Sequence, residues 1–319
     1  MIKYYNLPQK TASLFFLLFF LCLADCRVSS VNVKEESKGN SARISLKEAS
    51  AKKGTIRFEK FIHADWEVDR GGLIYLKDPV SVSKGIKEGK EPIQIYMYSL
   101  THPVYGTFLI DTGMSDDFKK PQNEWPVSSI IRNLMNADAL KVRNTTGEWI
   151  RNSKTEVKGV FMTHLHMDHI MGAKDIPASV PFYTGPKEVQ SRAFQNLFVQ
   201  SATDRLIGEG KTVTELQFAG TEETLGMPAL DFFGDGSFII LYSPGHTPGS
   251  LAFIVNSTSG QHLLLGDSCH TVFGWENSVP PGDFTADRDS NRKSLGSLKK
   301  IASLFPKIKV HPGHQSIKE

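Results

Sequence analysis

Hydrophobic and polar positions divide the chain into three regions. Residues 1–26 contain one continuous apolar run, and residues 27–54 are polar and charged with no aromatic side chain. From residue 55 to residue 319, short apolar runs alternate with polar segments that contain Gly and Pro, which is the pattern of a folded domain. We therefore predict a leader (1–26), a polar tether (27–54) and one folded domain (55–319).

The folded region predicts a mixed α/β structure. Apolar runs of strand length occur at 55–62, 72–77, 92–99, 104–110, 157–162, 237–242, 250–255, 261–265 and 308–310. Helical periodicity occurs within 116–156 and at 170–175, 186–206 and 287–304. Residues 207–236 are rich in Gly and predict an irregular segment.

The leader resembles a bacterial export signal. Lys3 and Lys10 give it a positive start, and its apolar run at 13–23 is too short for a membrane-spanning helix. The run leads into Ala24-Asp25-Cys26, which is similar to a lipobox with Cys26 as the lipidated residue. We expect an exported lipoprotein that is anchored in a bacterial membrane through Cys26, with a tether too polar to order itself. Plain secretion with cleavage nearby and an uncleaved anchor are the alternatives.

The composition excludes two classes of protein. A net charge of +3 without a long basic run argues against a nucleic-acid partner. Three cysteines, of which Cys22 lies in the leader, are too few for a disulfide scaffold. The hydrophobic content of 40% and the charged content of 22% are those of an ordinary globular protein.

The chemistry is concentrated in residues 163–169, Thr-His-Leu-His-Met-Asp-His, directly after the apolar run at 157–162. Imidazole and carboxylate groups suit zinc or a neighbouring first-row metal. His164 and His166 can point to one side and bind one ion, whereas Asp168 and His169 project differently and can bind a second. Two ions at such a spacing share a hydroxide and clamp both the attacked and the leaving oxygen of a hydrolysed bond. The cluster therefore predicts a dinuclear site with further ligands elsewhere in the chain.

Three more residues of metal-ligand type follow later apolar runs, and each has a glycine beside it or within one residue. The predicted ligands are His164, His166 and His246 for the first ion, Asp168, His169 and His314 for the second, and Asp267 as the bridge. Asp111, at the end of the run at 104–110, is predicted to orient a ligand imidazole from behind. Capping of the next turn is the alternative role for Asp111.

These motifs together resemble the metallo-β-lactamase superfamily from about residue 92 to the C-terminus. The resemblance is carried by Asp111-Thr112-Gly113, the cluster at 164–169, Pro-Gly-His-Thr-Pro-Gly at 244–249, Gly266-Asp267 and Pro312-Gly313-His314. It implies an α/β fold, the four-layer αββα sandwich, with the dinuclear site at one edge and residues 55–319 as the catalytic domain. It also implies two divalent metal ions, with Zn²⁺ as the first candidate and iron and manganese as alternatives.

Within the superfamily, the run Phe-Gly-Asp-Gly-Ser at 233–237 is similar to the N-acyl-homoserine lactonase branch, and Asp267 argues against a true β-lactamase. Those lactonases often carry a tyrosine three residues after the bridging aspartate, where this chain has His270. A histidine there can donate to the substrate carbonyl oxygen, or it indicates another substrate such as an aryl ester or a phosphotriester. Phe273 and Trp275 are expected to wall the substrate.

We expect a dinuclear metal-dependent hydrolase that opens an ester or lactone, with an N-acyl homoserine lactone as one candidate, through a metal-bridging hydroxide. Asp168 or Asp267 is expected to transfer the proton, with His270 as a further catalytic residue. Phosphoester or organophosphate hydrolysis is the first alternative, and a surface lipoprotein that retains the fold without turnover is the second. The expected partners are a small-molecule substrate and, through the N-terminal anchor, a lipid membrane.

Overall fold

The computed structural model describes residues 27–39, 54–192, 196–222 and 226–318. The predicted leader, with Cys26, and residues 40–53 of the predicted tether lie outside the described residues. Within the described ranges, every helix is too short or too polar to cross a membrane.

Fourteen strands and eight α-helices are present in the described part of the chain. The strands are β1 (Asn32–Glu36), β2 (Arg57–Asp69), β3 (Lys90–His102), β4 (Gly106–Ile110), β5 (Lys141–Val142), β6 (Val157–Phe161), β7 (Phe182–Thr184), β8 (Thr212–Leu216), β9 (Thr221–Glu222), β10 (Met227–Asp231), β11 (Phe238–Tyr242), β12 (Leu251–Ser257), β13 (Gly260–Leu264) and β14 (Lys309–His311). The helices are α1 (Arg70–Leu73), α2 (Pro79–Ser83), α3 (Ser129–Leu134), α4 (Thr146–Ser153), α5 (Met167–Ile170), α6 (Asn196–Ile207), α7 (Val272–Asn277) and α8 (Arg288–Leu304).

The strands form two mixed sheets. The eight-stranded sheet has the order β1-β8-β7-β6-β4-β3-β2-β5, and the six-stranded sheet has the order β14-β13-β12-β11-β10-β9. Parallel pairing joins the neighbouring strands of the run β1-β8-β7-β6-β4 in the larger sheet. In the smaller sheet, β14 is parallel to β13. The remaining pairs are antiparallel.

The two sheets pack face to face, and the alternation of side chains along each strand explains how. In β11, Phe238 and Ile240 point into the core between the sheets, whereas Ile239 and Leu241 point outward beneath α8. The outward-facing residues Ile239 and Leu241 therefore pack against a helix and do not face water. Strands buried on both faces read as continuous apolar runs, as β11 does.

Helices cover both outer faces. Leu295, Leu298 and Ile301 of α8 pack on the six-stranded sheet. Asp287, the residue before the helix, caps its first turn by accepting from two backbone N–H groups. On the other side, Ala202 and Leu206 of α6 pack over the eight-stranded sheet. The four-layer αββα arrangement is thereby confirmed.

Several stretches differ from their predicted secondary structure. The segment at 186–206, predicted as helical, forms a helix only from Asn196 onward among the described residues, and residues 186–192 lie in a turn and an isolated bridge. The segment at 72–77, predicted as a strand, contains the end of α1 and a turn, and the aromatic ring of Phe284 lies where a Cβ on Gly72 would stand. The segment at 207–236, predicted as irregular, contains β8 and β10. Buried side chains of these strands, such as Val213 and Leu230, hold them in the two sheets despite the surrounding glycines.

The predicted tether is wrong over residues 27–39. Residues 32–36 form β1, which pairs in parallel register with β8, and Val33 packs against the core under α6. The hydroxyl of Ser29 and the backbone N–H and hydroxyl of Ser30 donate to Asp204 at 2.5, 2.9 and 2.6 Å. A polar segment orders here because another strand satisfies its backbone and supplies apolar contacts.

Candidate metal centre

The predicted ligands lie at the ends of strands that point toward one edge of the sandwich. Strands β4 and β6 are parallel neighbours, and β11, β13 and β14 run in a common direction in the other sheet. Their carboxyl ends therefore meet at the same edge, where the following loops present their side chains. This topology brings together residues that are up to 150 positions apart, as His164 and His314 are.

The first set consists of His164, His166, His246 and Asp267, whose ligand atoms all lie within 4.8 Å of one another. The Nε2 atom of His246 lies 3.1 Å from Nε2 of His164 and 2.8 Å from Nδ1 of His166. Each neutral imidazole ring offers a lone pair on one nitrogen. Three such nitrogens that face one point can therefore coordinate a cation there.

The second set consists of Asp168, His169, His314 and Asp267, again within 4.8 Å. The Oδ2 atom of Asp267 lies 3.2 Å from Nε2 of His169, 3.3 Å from Nε2 of His314 and 3.4 Å from Nε2 of His246. The Oδ2 atom of Asp168 lies 3.2 Å from Nε2 of His314. Asp267 is thus the residue common to both sets, as predicted for the bridge.

The buried atoms of Asp267 test whether this arrangement suits metal ions. Its Oδ1 atom is buried without a hydrogen-bond partner and lies where a Cβ on Gly313 would come within 2.2 Å, so only glycine fits beside it. Buried carboxylate oxygens are normally paired. An unpaired carboxylate oxygen beside two groups of imidazole nitrogens is available to bind a cation, so this arrangement suits metal ions.

The electrostatics of the two sets differ. Burial lowers the pKa of His164, His166 and His246, which keeps these rings neutral and their lone pairs available. Burial alone would also lower the pKa of His169 and His314, but carboxylates led by Asp267 outweigh it and raise both, that of His314 to about 10. A cation bound by the second set would take the place of those protons.

Asp111 lies behind the second set, as predicted. Its Oδ2 atom is 2.8 Å from Nδ1 of His169, and its Oδ1 atom accepts from the backbone N–H of Thr163 at 2.8 Å. Asp111 adopts a left-handed backbone conformation with φ of 53°. A carboxylate on one ring nitrogen fixes the direction in which the other nitrogen points, so Asp111 aims Nε2 of His169 at the centre.

Sequence reasoning missed Glu188. This side chain is 1% exposed, and it accepts from the backbone N–H of Leu165 (2.9 Å), the hydroxyl of Thr247 (2.7 Å) and the backbone N–H of Gly249 (2.9 Å). Burial raises its pKa. One carboxylate therefore joins the loop of His164 and His166 to the loop of His246, and a lone glutamate in a segment predicted as a helix gave no signal of this.

A family model described as the metallo-beta-lactamase superfamily matches residues 95–314. The chain belongs to that superfamily. An N-acyl homoserine lactonase, AttM, from Azorhizobium caulinodans is 27% identical over 217 residues, which cover 66% of this chain and 78% of the relative. A Penicillium roqueforti protein described as the cytochrome P450 monooxygenase mpaDE is 28% identical over 175 residues, but the match spans only 20% of its length and 51% of this chain.

Solved structures agree with this membership in the superfamily at the level of the fold. A quorum-quenching N-acyl homoserine lactone lactonase superposes with a TM-score of 0.57 at 16% identity, over 82% of this chain and 93% of that one. The dizinc quorum-quenching lactonase AidC superposes with a TM-score of 0.51 at 13% identity, over 84% and 92%.

Residues of both candidate ligand sets line a cleft of about 690 Å³. The walls of the cleft are largely apolar, and they come from separate parts of the chain. They include Val28, Trp66, Leu134, Met135, Val199 and Phe284. The cleft therefore suits a ligand that places a polar group at the candidate metal centre and an apolar part along the cleft wall.

The predicted wall residues lie elsewhere. Phe273 packs on the small core formed by Val68, Leu73 and their neighbours, and Trp275 packs beneath α8, where Nζ of Lys299 lies 4.8 Å from the centre of its ring. Both residues belong to α7, which turns into the body of the protein directly after Asp267. The prediction that they line the substrate cleft is wrong, because proximity in sequence did not place them at the cleft.

His270 lies beside the metal centre with both ring nitrogens engaged. Its Nε2 atom is 3.0 Å from Oδ2 of Asp267, and its Nδ1 atom is 3.2 Å from the carbonyl oxygen of Leu73. The ring borders the cleft but is 2% exposed. This geometry favours the positioning of Asp267 over the predicted donation to a substrate oxygen.

Proposed function

We propose that the chain is a dinuclear metal-dependent hydrolase of carboxylic esters or lactones. The observation that carries the proposal is the pair of ligand sets that share Asp267 at the base of a largely apolar cleft. Two cations held by these sets would polarise an acyl carbonyl and lower the pKa of water to about 7. The similarity to N-acyl homoserine lactonases supports an acyl substrate whose chain lies along the cleft wall.

The protein's own residues supply the binding geometry and the proton path. Asp111 and Glu188 hold the ligand loops, so the imidazoles need not reorganise when a substrate binds. Asp168 borders the cleft with its side chain 19% exposed, so its carboxylate can take a proton from the attacking water and pass that proton to the leaving alkoxide. Leu134, Phe284 and the neighbouring apolar side chains exclude water from the acyl part.

Zn²⁺ is the metal that we propose for both sets. Imidazole nitrogens with carboxylate oxygens are ligands that zinc accepts in tetrahedral or five-coordinate sites, and iron and manganese remain the competitors. A dizinc lactonase shares the fold of this chain.

A substrate panel tests the proposed function. The chain from residue 27 onward would be stripped with a chelator, reloaded with zinc, and assayed for acid release from an acyl homoserine lactone, a p-nitrophenyl ester and a phosphotriester. We expect turnover of the lactone or the carboxylic ester that disappears on chelation and returns with the metal. Turnover of the phosphotriester alone, or none from protein that holds two zinc ions, would contradict the proposal.

The cleft wall predicts a preference for long acyl chains that depends on Phe284, which is 49% exposed at the cleft. We expect Phe284→Ala to raise KM for a decanoyl ester by about three- to tenfold, since part of a buried phenyl contact is lost, and to leave an acetyl ester nearly unchanged. Tyr105 is equally exposed but does not line the cleft, so Tyr105→Ala is the matched control. Equal effects of Phe284→Ala on both esters would count against an acyl-binding wall.

We also propose that residues 1–26 direct export and that Cys26 carries a lipid anchor. The basis is the apolar run at 13–23, which a cysteine follows three residues later. Expression in a bacterial host with labelled palmitate is expected to label the wild-type chain and to leave Cys26→Ala unlabelled and released from the membrane fraction. Labelling that is unchanged in Cys26→Ala would remove the anchor from the proposal.

A further inference from the structure

The mouth of the cleft carries large apolar side chains that face solvent. Leu134 and Phe284 line the cleft and are 79% and 49% exposed. Ile130 is 71% exposed and lies four residues before Leu134 on α3, so both side chains project from the same side of that helix. Single exposed apolar residues are ordinary, but a group of them around one opening is typical of an interaction surface. We call Ile130, Leu134 and Phe284 the rim residues.

The helix α3 is apolar on two sides. Ile131 and Met135 are buried and pack in the core of the eight-stranded sheet, which accounts for one side. Ile130 and Leu134 form the second side, and in the described part of the chain this side is left in solvent. A helix that is apolar on both sides is expected to bury both. The second side of α3 therefore fits an external apolar phase.

The first described residues of the chain lie at the same opening. Val28 lines the cleft, its backbone N–H donates to the carbonyl oxygen of Ser191 at 3.1 Å, and Arg27 forms an isolated bridge with Arg192. Arg27 comes directly after the predicted leader, whose apolar run ends at residue 23. A leader that enters a membrane, or a lipid on Cys26, would therefore bring the mouth of the cleft to that membrane.

Arginine side chains surround this part of the mouth. Arg27, Arg192 and Arg205 are exposed. Arg205 is held beside the rim residues, because its Nε atom donates at 3.0 Å to the carbonyl oxygen of Pro126 in the loop that leads into α3. Arginine side chains beside exposed apolar residues are the combination with which peripheral proteins contact anionic lipid.

The exposed carboxylates of the cleft have their own cationic partners. Asp69 and Asp283 line the cleft with side chains that are 71% and 84% exposed. Nζ of Lys90 lies 2.7 Å from Asp69, and the guanidinium of Arg288 lies 3.3 Å from Asp283. These two carboxylates therefore do not cancel the positive charge of the arginines beside α3.

We propose that the rim residues and the surrounding arginines dock on an anionic lipid surface, with the cleft open toward the bilayer. Ile130, Leu134 and Phe284 enter the boundary between headgroups and acyl chains, and the arginines contact headgroup phosphates. The contact is peripheral, because within the described ranges every helix is too short or too polar to cross a membrane. Docking also lets an acyl substrate pass from the bilayer into the cleft, a consequence that rests on the proposed hydrolase function.

The test measures flotation with vesicles of equal parts phosphatidylglycerol and phosphatidylcholine. The chain from residue 27 onward contains every strand and helix that the structure describes, so its binding reports on the folded protein without the leader. We expect it to float with these vesicles and to bind vesicles of phosphatidylcholine alone about tenfold more weakly. Ile130→Glu is expected to lower the partition coefficient by about five- to tenfold, because an apolar contact is lost and a negative charge is added.

Val104→Glu is the matched control. Val104 is 78% exposed but precedes β4, whereas Asp111 at the candidate metal centre follows that strand, so Val104 lies at the opposite edge of the sandwich. We expect this variant to float like the wild type. Turnover of a water-soluble acetyl ester, measured on the same samples, is expected to be unchanged in both variants, because neither residue lines the cleft.

The full chain on the same vesicles reports the orientation of the cleft. The tryptophan emission added by Ile130→Trp is expected to be quenched by lipids brominated on their acyl chains, and that added by Val104→Trp is not. Failure of the wild-type chain from residue 27 to float, equal losses in the two glutamate variants, or equal quenching at the two positions would each overturn the docking proposal. Soluble-ester turnover that persists in those cases keeps the hydrolase, whereas flotation without any turnover contradicts the proposed function alone.

Discussion

Asp267→Asn is expected to lower kcat/KM for the ester or lactone substrate on the order of 10³-fold and to reduce the bound metal from two ions to one or fewer per chain. Oδ2 of Asp267 lies within 3.4 Å of ring nitrogens of His169, His246 and His314, and no other residue belongs to both ligand sets. Asparagine removes the negative charge between the two cation positions and directs an N–H₂ group at one of them. Asp168, the other carboxylate of the ligand sets in the described residues, belongs only to the second set and does not replace the charge between the two.

Metal content by mass spectrometry and kcat/KM for the best substrate of the panel would be measured on the same samples. Asp289→Asn is the control, because Asp289 is an exposed aspartate in the first turn of α8. We expect it to match the wild type in both measurements. An Asp267→Asn protein that holds two ions and keeps its turnover would show that Asp267 is not the bridge.

The ligand sets could be predicted from the sequence because of where they lie in the chain. His246, Asp267 and His314 each follow an apolar strand closely, and the turns after strands that share a direction meet at one edge. When a residue of metal-ligand type follows a strand and a sharp turn, the sequence therefore predicts at which edge of the sheets that residue lies. The same reasoning found Asp111, which follows β4 directly.

Features that depend on contacts between distant segments could not be predicted in this way. Residues 32–36 look too polar to fold, and their partner β8 comes some 180 residues later. The cleft wall takes Trp66 from β2, Leu134 from α3 and Phe284 from a loop. Phe273 and Trp275, which lie close to Asp267 in sequence, pack on the core instead. Periodicity identifies which face of an element is apolar, but it does not identify the cavity that this face borders.

Glu188 is the strongest case of such a hidden contact, and Glu188→Gln is expected to have the second largest effect. The carboxylate accepts three hydrogen bonds, from Leu165, Thr247 and Gly249, so an amide must turn its N–H₂ group toward at least one donor. We expect the free energy of unfolding to fall by about 2–3 kcal/mol. Metal affinity and kcat/KM are expected to fall by about 10- to 100-fold, since the loop of His164 and His166 loses its tie to the loop of His246.

Asp231→Asn separates this positioning role from a general loss of stability. Asp231 is also a buried carboxylate whose pKa burial raises, and it accepts from the backbone N–H groups of Gly234 and Gly236 at 3.0 and 2.7 Å, away from the metal centre. Denaturant unfolding and competitive zinc titration of both variants provide the comparison. We expect both to lose stability and only Glu188→Gln to lose metal affinity. If the two variants retained equal metal affinity, Glu188 would stabilise the fold without positioning the ligands, and the prearrangement of the centre would have to come from Asp111 and the strand ends alone.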